Sequence, residues 1–238
     1  MQSQYKNDKR FEEMIGRFLD EYYYKSFFSE GKRVMARVTN KVFQKKGIDV
    51  AVTNLENKKV SYVDEKCAAH YVNTKLDTFA FEIIYKDGNI GWLIDDNIVT
   101  DYYLLMWIRA DEEKFPPKEH GANDYYKTVQ FDDIKYVTGC IIEKKKLIGY
   151  LEAQGLDKNS LHKQATEMRE KKMPKSYKCG LKFTYSFSDI AEAPINVLIP
   201  KTILQTLATD ELGCYCYKVD KNHIEYPIDL IKETLLKG

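Results

Sequence analysis

No apolar run in the chain is long enough to cross a membrane; the longest, Tyr102 to Ile108, is strand-sized. The opening residues, M-Q-S-Q-Y-K-N-D-K-R, hold no apolar stretch of the kind a secretory signal needs. Cysteine is scarce, with five residues and no framework spacing. That argues against a disulfide-stapled secreted domain and for a reducing cytoplasm. Charge of one sign is lacking too. A net charge of +1 gives no global basic field, which disfavours non-specific coating of nucleic acid and leaves room only for a local basic groove. A Walker loop, a dinucleotide-binding glycine fingerprint and a G-x-S-x-G elbow are all missing. His70, His120, His162 and His223 share no metal-ligand spacing, and Cys214-x-Cys216 has no nearby partners for a zinc site.

What is present suits a globular α/β protein. Hydrophobic residues make up 44% and charged residues 31% of 238, enough for one domain with a sizeable core. The 18 Tyr and 11 Phe fit strands as readily as a partner surface. With no internal repeat or low-complexity linker, the chain reads as a single domain over 1–238, with a core over 9–155 and a C-terminal elaboration over 156–238. Phe11, Met14, Ile15, Phe18 and Tyr22 recur at helical spacing, predicting a helix from Lys9 to Phe28 with Glu12 on the flank of its apolar face. Val34 to Phe43 is mixed, a loop or a short edge strand. Thr78 to Tyr85 reads as a strand, and Lys86-Asp87-Gly88-Asn89 as a hairpin turn returning through Ile90 to Ile94 in an antiparallel meander. Tyr102 to Ala110 is apolar enough for a central strand covered on both faces. Helices are expected over Glu143 to Gln154 and Asn159 to Lys172, the second capped by Asn159 or Ser160. Their basic residues, such as Lys145 and Arg169, read either as solvated faces or as phosphate contacts.

The chemistry gathers between Gln44 and Lys66. G-I-D-V-A-V-T-N, a polar turn and K-V-S-Y-V-D-E-K-C form a predicted β-hairpin. Strand side chains alternate, so Asp64 and Lys66 share one face while Glu65 points to the other. Ile48, Val50 and Val52 are expected in the core, with Asp49 and Ala51 turned outward or toward a cleft. Two carboxylates and an ammonium converging across a hairpin can hold a divalent cation and a water beside a phosphate. Gly47 fits a close backbone approach, or a plain turn. Glu82 is a further acid, more readily an edge carboxylate than a ligand; Asp95, Asp96 and Asp101 read as solvated turn residues.

A helix with Glu12, then G-I-D-V, then V-D-E-K resembles the PD-(D/E)xK nuclease superfamily, and G-I-D-V is similar to the matching segment of Holliday-junction resolvases and Mrr-type restriction enzymes. The resemblance covers Phe11 to about Ile84. It implies a restriction-endonuclease-like fold, a mixed central sheet flanked by helices. It also implies a metal-dependent nuclease acting on nucleic acid, foremost DNA, with Mg2+ or Mn2+ as cofactor and a homodimer as a common assembly. Asp49 and Asp64 match the motif acids and metal ligands, Lys66 the motif lysine and Glu12 the helix acid. Residue 65 is implied as a further metal ligand, through its backbone carbonyl or its side chain. Two departures stand out: Ile48 replaces proline, and the charged Glu65 replaces the usual apolar residue. The rival expectations are a catalytically inactive nuclease-fold module that binds nucleic acid or supports assembly, and an interaction protein whose aromatic strands bury a partner.

Overall fold

The computed structural model describes residues 2–25, 31–185, 193–209, 212 and 216–235. Helix α1 (Gln2–Phe18) places Phe11, Met14, Ile15 and Phe18 at i, i+3, i+4 and i+7, and all four are buried. A wider π-helical turn over Leu19–Tyr24 then buries Leu19, Tyr23 and Tyr24. The final residues of the expected helix, 26–28, lie outside the described residues.

The main sheet is mixed. Its strands lie in the order β1 (Arg33–Arg37), β2 (Val50–Asn54), β3 (Val60–Cys67), β5 (Tyr102–Ala110), β6 (Ile134–Glu143), β10 (Cys216–Asp220) and β11 (Ile224–Glu225). Strands β3 and β5 run parallel, and the other neighbours antiparallel. A second, antiparallel sheet has the order β4 (Thr78–Ile84), β9 (Ile195–Pro200), β8 (Leu181–Tyr185) and β7 (Lys175–Lys178). Helices α2 (Lys41–Gln44), α3 (Lys144–Ala153), α4 (Lys158–Glu170), α5 (Lys201–Leu207) and α6 (Leu230–Leu235) complete the chain.

Two cores flank the main sheet. Phe11, Ile15 and Phe18 of α1 pack with Val50, Val63, Leu104 and Met106 on one face. On the other, Tyr103, Leu105 and Trp107 pack against Phe79, Phe81, Val197, Leu147 and Leu161 from the second sheet, α3 and α4. Strand β5 therefore sends alternate residues into each core, as its continuous apolar run predicts. Among the described residues no helix is long and apolar enough to cross a membrane.

Three local expectations change. The strand over Thr78–Ile84 forms but does not extend the hairpin in a meander. It turns Phe79, Phe81 and Ile83 toward the core it shares with Ile199 and Val197, and pairs with β9 in the second sheet. The turn after it closes, with Tyr85 N donating to Asn89 O at 2.8 Å, but beyond an isolated bridge at Ile90 the returning segment is not a strand. Helix α4 is capped by Asp157, whose carboxylate accepts from Ser160 N at 2.7 Å. Residues after 156 contribute to both sheets: β10 and β11 extend the main sheet and β9 pairs with β4.

Candidate active site

The predicted hairpin forms, with Val50 opposite Val63 and Val52 opposite Ser61. Val50 and Val63 both enter the helix-side core, so Asp64, the next residue of β3, turns to the opposite face. Asp49 stands just before β2, and its N–H still donates to Val63 O at 3.0 Å. Its carboxylate accepts from Glu65 N at 2.8 Å, fixing the side chain against β3. Ile48, Val50 and Val52 are buried at 4%, 0% and 2% exposure, which leaves Asp49 as the half-buried residue among them.

Asp64 is 2% exposed. One carboxylate oxygen meets Lys66 Nζ at 2.9 Å; the other is buried and accepts no hydrogen bond. A buried, unpartnered anionic oxygen is costly, and it is the kind of atom a cation satisfies. Gly47 closes over this oxygen. Its φ is +73°, its carbonyl accepts from the Thr100 hydroxyl, and a Cβ there would lie 3.2 Å from the unpartnered Asp64 oxygen.

Three acids and an aromatic ring surround Lys66. Its ammonium sits 5.1 Å from the centre of the Trp92 ring, and the Glu82 carboxylate from β4 adds to the field around it. Burial works against the Lys66 charge, but Asp64 and Asp49, together with Glu82, raise it above the ordinary lysine value. Burial, followed by the charges of Asp64 and Glu65, pushes the Asp49 carboxyl up to about 8. Tyr103, directly across from Asp64 on β5, is likewise pushed up by burial and by the Asp64 charge. Trp92 reaches this point because Gly91 crosses β4 so tightly that a Cβ would lie 2.4 Å from the Glu82 carbonyl.

The other predicted residues separate. Glu65 points to the helix side, where Arg37 binds it at 2.9 and 3.1 Å and Tyr24 OH donates to it at 2.7 Å. Of the two ligand modes implied for residue 65, the side chain is thus committed elsewhere. Glu12 is also on the helix side, exposed on α1. Burial, then the charges of Glu12 and Glu65, pushes the neighbouring Cys67 thiol up to about 12. The structure does not bring Glu12 to the group formed by Asp49, Asp64 and Lys66. Arg169 is engaged by Ala193 O at 3.2 Å and by the Tyr185 ring at 4.9 Å, a structural contact, while Lys145 is exposed. Cys214 lies outside the described residues; Cys216 instead faces Cys140 across the β6–β10 pair, with sulfurs 3.3 Å apart in the core.

Sequence reasoning missed Trp92 as a neighbour of Lys66, and no local signal marks it. Among the described residues no three His, Cys, Asp or Glu side chains form a metal cage. The donor set here is smaller: two carboxylates, one with an unpartnered oxygen. Magnesium accepts such a set, since it keeps several waters and takes only one or two carboxylates. Comparison with protein-family models, curated proteins and solved structures returned no match to this chain.

Proposed function

We propose that the chain is a divalent-metal-dependent hydrolase of phosphodiester bonds in nucleic acid, foremost DNA, built on a restriction-endonuclease-like arrangement. The observation that carries this reading is the convergence of Asp49, Asp64 and Lys66 on one face, with a buried Asp64 oxygen left without a partner. Support also comes from the order of elements: a helix, then antiparallel strands bearing the two acids and the lysine, within a mixed sheet.

In this reading Asp49 and Asp64 hold Mg2+ or Mn2+. The carbonyl of a strand residue points to the same side as its N–H, so Glu65, whose N–H meets Asp49, offers its carbonyl there as well. When bound, the metal supplies Lewis-acid polarisation and lowers the pKa of a water. Lys66 stays protonated beside Asp64, orients a water and stabilises negative charge building on the phosphoryl oxygens. Glu12 takes no direct part in this centre; its contribution is to the charge on the helix side of β3.

The test is cleavage of supercoiled plasmid and of single-stranded DNA with magnesium or manganese. Wild type is expected to cut, and Asp64→Ala and Lys66→Ala to lose cutting. One observation favours a second reading, an inactive module on the same scaffold: Lys66 already neutralises Asp64 internally. Binding without cutting by wild type selects that reading.

A further inference from the structure

Helix α1 packs on one face of β1, β2 and β3; on the other, Gly47 and Trp92 close over Asp64 and Lys66, while the part of that face farther from them is open. On that open face Val34 and Val60 are 49% and 43% exposed, Ala36 is exposed, and Ala51, Thr53 and Tyr62 are half-buried. They lie in rungs. Val34, Thr53 and Val60 form one rung, and Ala36, Ala51 and Tyr62 the next. Beyond these come Asp49, just before β2, and Asp64 on β3. A floor of mostly small and apolar side chains thus borders the candidate active site, in which Asp64 itself is buried.

Charge is segregated at the borders of this floor. Residues 31–63 hold eight basic side chains against two acidic ones, in a chain whose net charge is +1. Arg37 is turned to the helix side. Lys32, Lys41, Lys45, Lys46, Lys58 and Lys59 are all exposed, and none pairs with a carboxylate among the described residues. Lys32 and Lys59 stand where β1 and β3 meet the β2 turn, their carbonyls accepting from Leu55 N and Asn54 N at 2.9 Å. Lys41, Lys45 and Lys46 stand at the opposite end, in α2 and the turn leading to Asp49.

We propose that this open face is the nucleic-acid docking surface, with phosphates held by the lysine borders and sugars and bases laid on the apolar floor. The inference rests on the nuclease reading, which it extends by naming the approach path. A five-residue strand is roughly 17 Å long, room for about five nucleotide steps. A second copy of the chain is a poorer occupant, because a two-fold contact through this face would bring six unpaired cations against six more.

The experiment is fluorescence anisotropy of the full chain with a labelled single strand and the matching duplex, in chelator, across a salt series. One variant carries Lys41→Gln, Lys45→Gln and Lys46→Gln; another carries Lys32→Gln, Lys58→Gln and Lys59→Gln. A control removes three exposed lysines elsewhere, Lys163→Gln, Lys175→Gln and Lys182→Gln. Each face variant is expected to bind about tenfold or more weakly near 0.1 M salt and to lower the slope of log affinity against log salt by about 2; the control keeps wild-type values. Unchanged affinity and slope in both face variants, or no binding by wild type to either probe, overturns the proposal. The same proteins are assayed for cutting with magnesium. Wild type that cuts alongside face variants that bind and cut equally well removes the docking surface and leaves the nuclease reading standing. Face variants that lose binding, with a wild type that never cuts, keep the surface and remove the hydrolase.

Discussion

Asp64 and Lys66 form an ion pair 2.9 Å long on one face of β3, with the carboxylate 2% exposed and the lysine side chain 29% exposed. The two ends of the pair are therefore unequal. Removing the lysine strands a buried negative charge, whereas removing the acid frees an ammonium that still has water. Lys66→Met is expected to destabilise the fold by about 3 kcal/mol, and Asp64→Asn by clearly less. The double variant should recover most of the Lys66→Met loss. Urea unfolding of the three variants measures this, and equal single-variant losses would remove the argument for a buried Asp64 charge.

Asp49 gives the protein, in chelator, a pH dependence opposite to that of an ordinary salt-bridged acid. Burial first, then Asp64 and Glu65, raise its folded value to about 8 from an ordinary 3.8. Between those limits the folded state holds a proton that the unfolded chain has released, so unfolding binds fewer protons and stability falls as pH rises. The contribution is fully present below about pH 4 and is lost by about pH 8. Asp49→Asn should flatten this segment of the stability profile in chelator and be the more stable protein at pH 8. A wild-type profile that rises across pH 5 to 8 while Asp49→Asn shows the same rise would contradict it.

Alternation along the hairpin made this much readable from the sequence. Val50 and Val52 in the helix-side core, and Asp64 with Lys66 against Glu65, follow from the two-residue repeat alone. The partner of Thr78–Ile84 did not follow, because its apolar pattern marks a strand without saying which strand it meets. Its neighbour, Ile195–Pro200, is more than a hundred residues away in sequence. Glu12 shows a similar limit. Helical periodicity gives the flank it occupies, but not which face of the sheet the helix covers. Arg169 belongs to a basic run that reads as a solvated surface, yet its guanidinium closes on the Ala193 carbonyl. Such pairings are long-range, and local propensity carries no record of them.

Arg37 fastens the helix layer to the strand that carries the site. Its guanidinium holds Asp20 at 2.7 and 2.8 Å and Glu65 at 2.9 and 3.1 Å, and donates to Gly16 O at 3.2 Å. Arg37→Ala leaves two acids facing each other in a partly buried space, and a loss of about 3 kcal/mol is expected by urea unfolding. Glu65→Gln keeps the shape and part of the hydrogen bonding. It should lower stability by about 1 kcal/mol and, under the proposed nuclease reading, leave metal-dependent cleavage within about threefold of wild type. Loss of cleavage at full stability in Glu65→Gln would return the side chain to the list of ligands.

Gly47 couples the loop after Trp92 to the proposed metal pocket. At φ +73° a side chain is strained whatever the space around it, and here there is little. A Cβ would meet Thr100 Oγ1 at 2.7 Å, Ile98 Cγ2 at 2.8 Å and Asp64 Oδ2 at 3.2 Å. The first two contacts must give way, and the Thr100 hydroxyl that donates to the Gly47 carbonyl moves with them. Relaxation can also push the Asp64 carboxylate aside, which matters if that oxygen binds a cation. Gly47→Ala is thus expected to cost about 2 kcal/mol and to weaken magnesium-dependent thermal stabilisation more than the fold itself. The decisive comparison is the magnesium-induced rise in melting temperature, wild type against Gly47→Ala, with Gly88→Ala as reference. Gly88 shares a positive φ, +84°, but a Cβ there meets nothing within 4 Å, so it should report backbone strain alone. An equal metal response in both glycine variants would separate Gly47 from the pocket and leave it a plain turn residue.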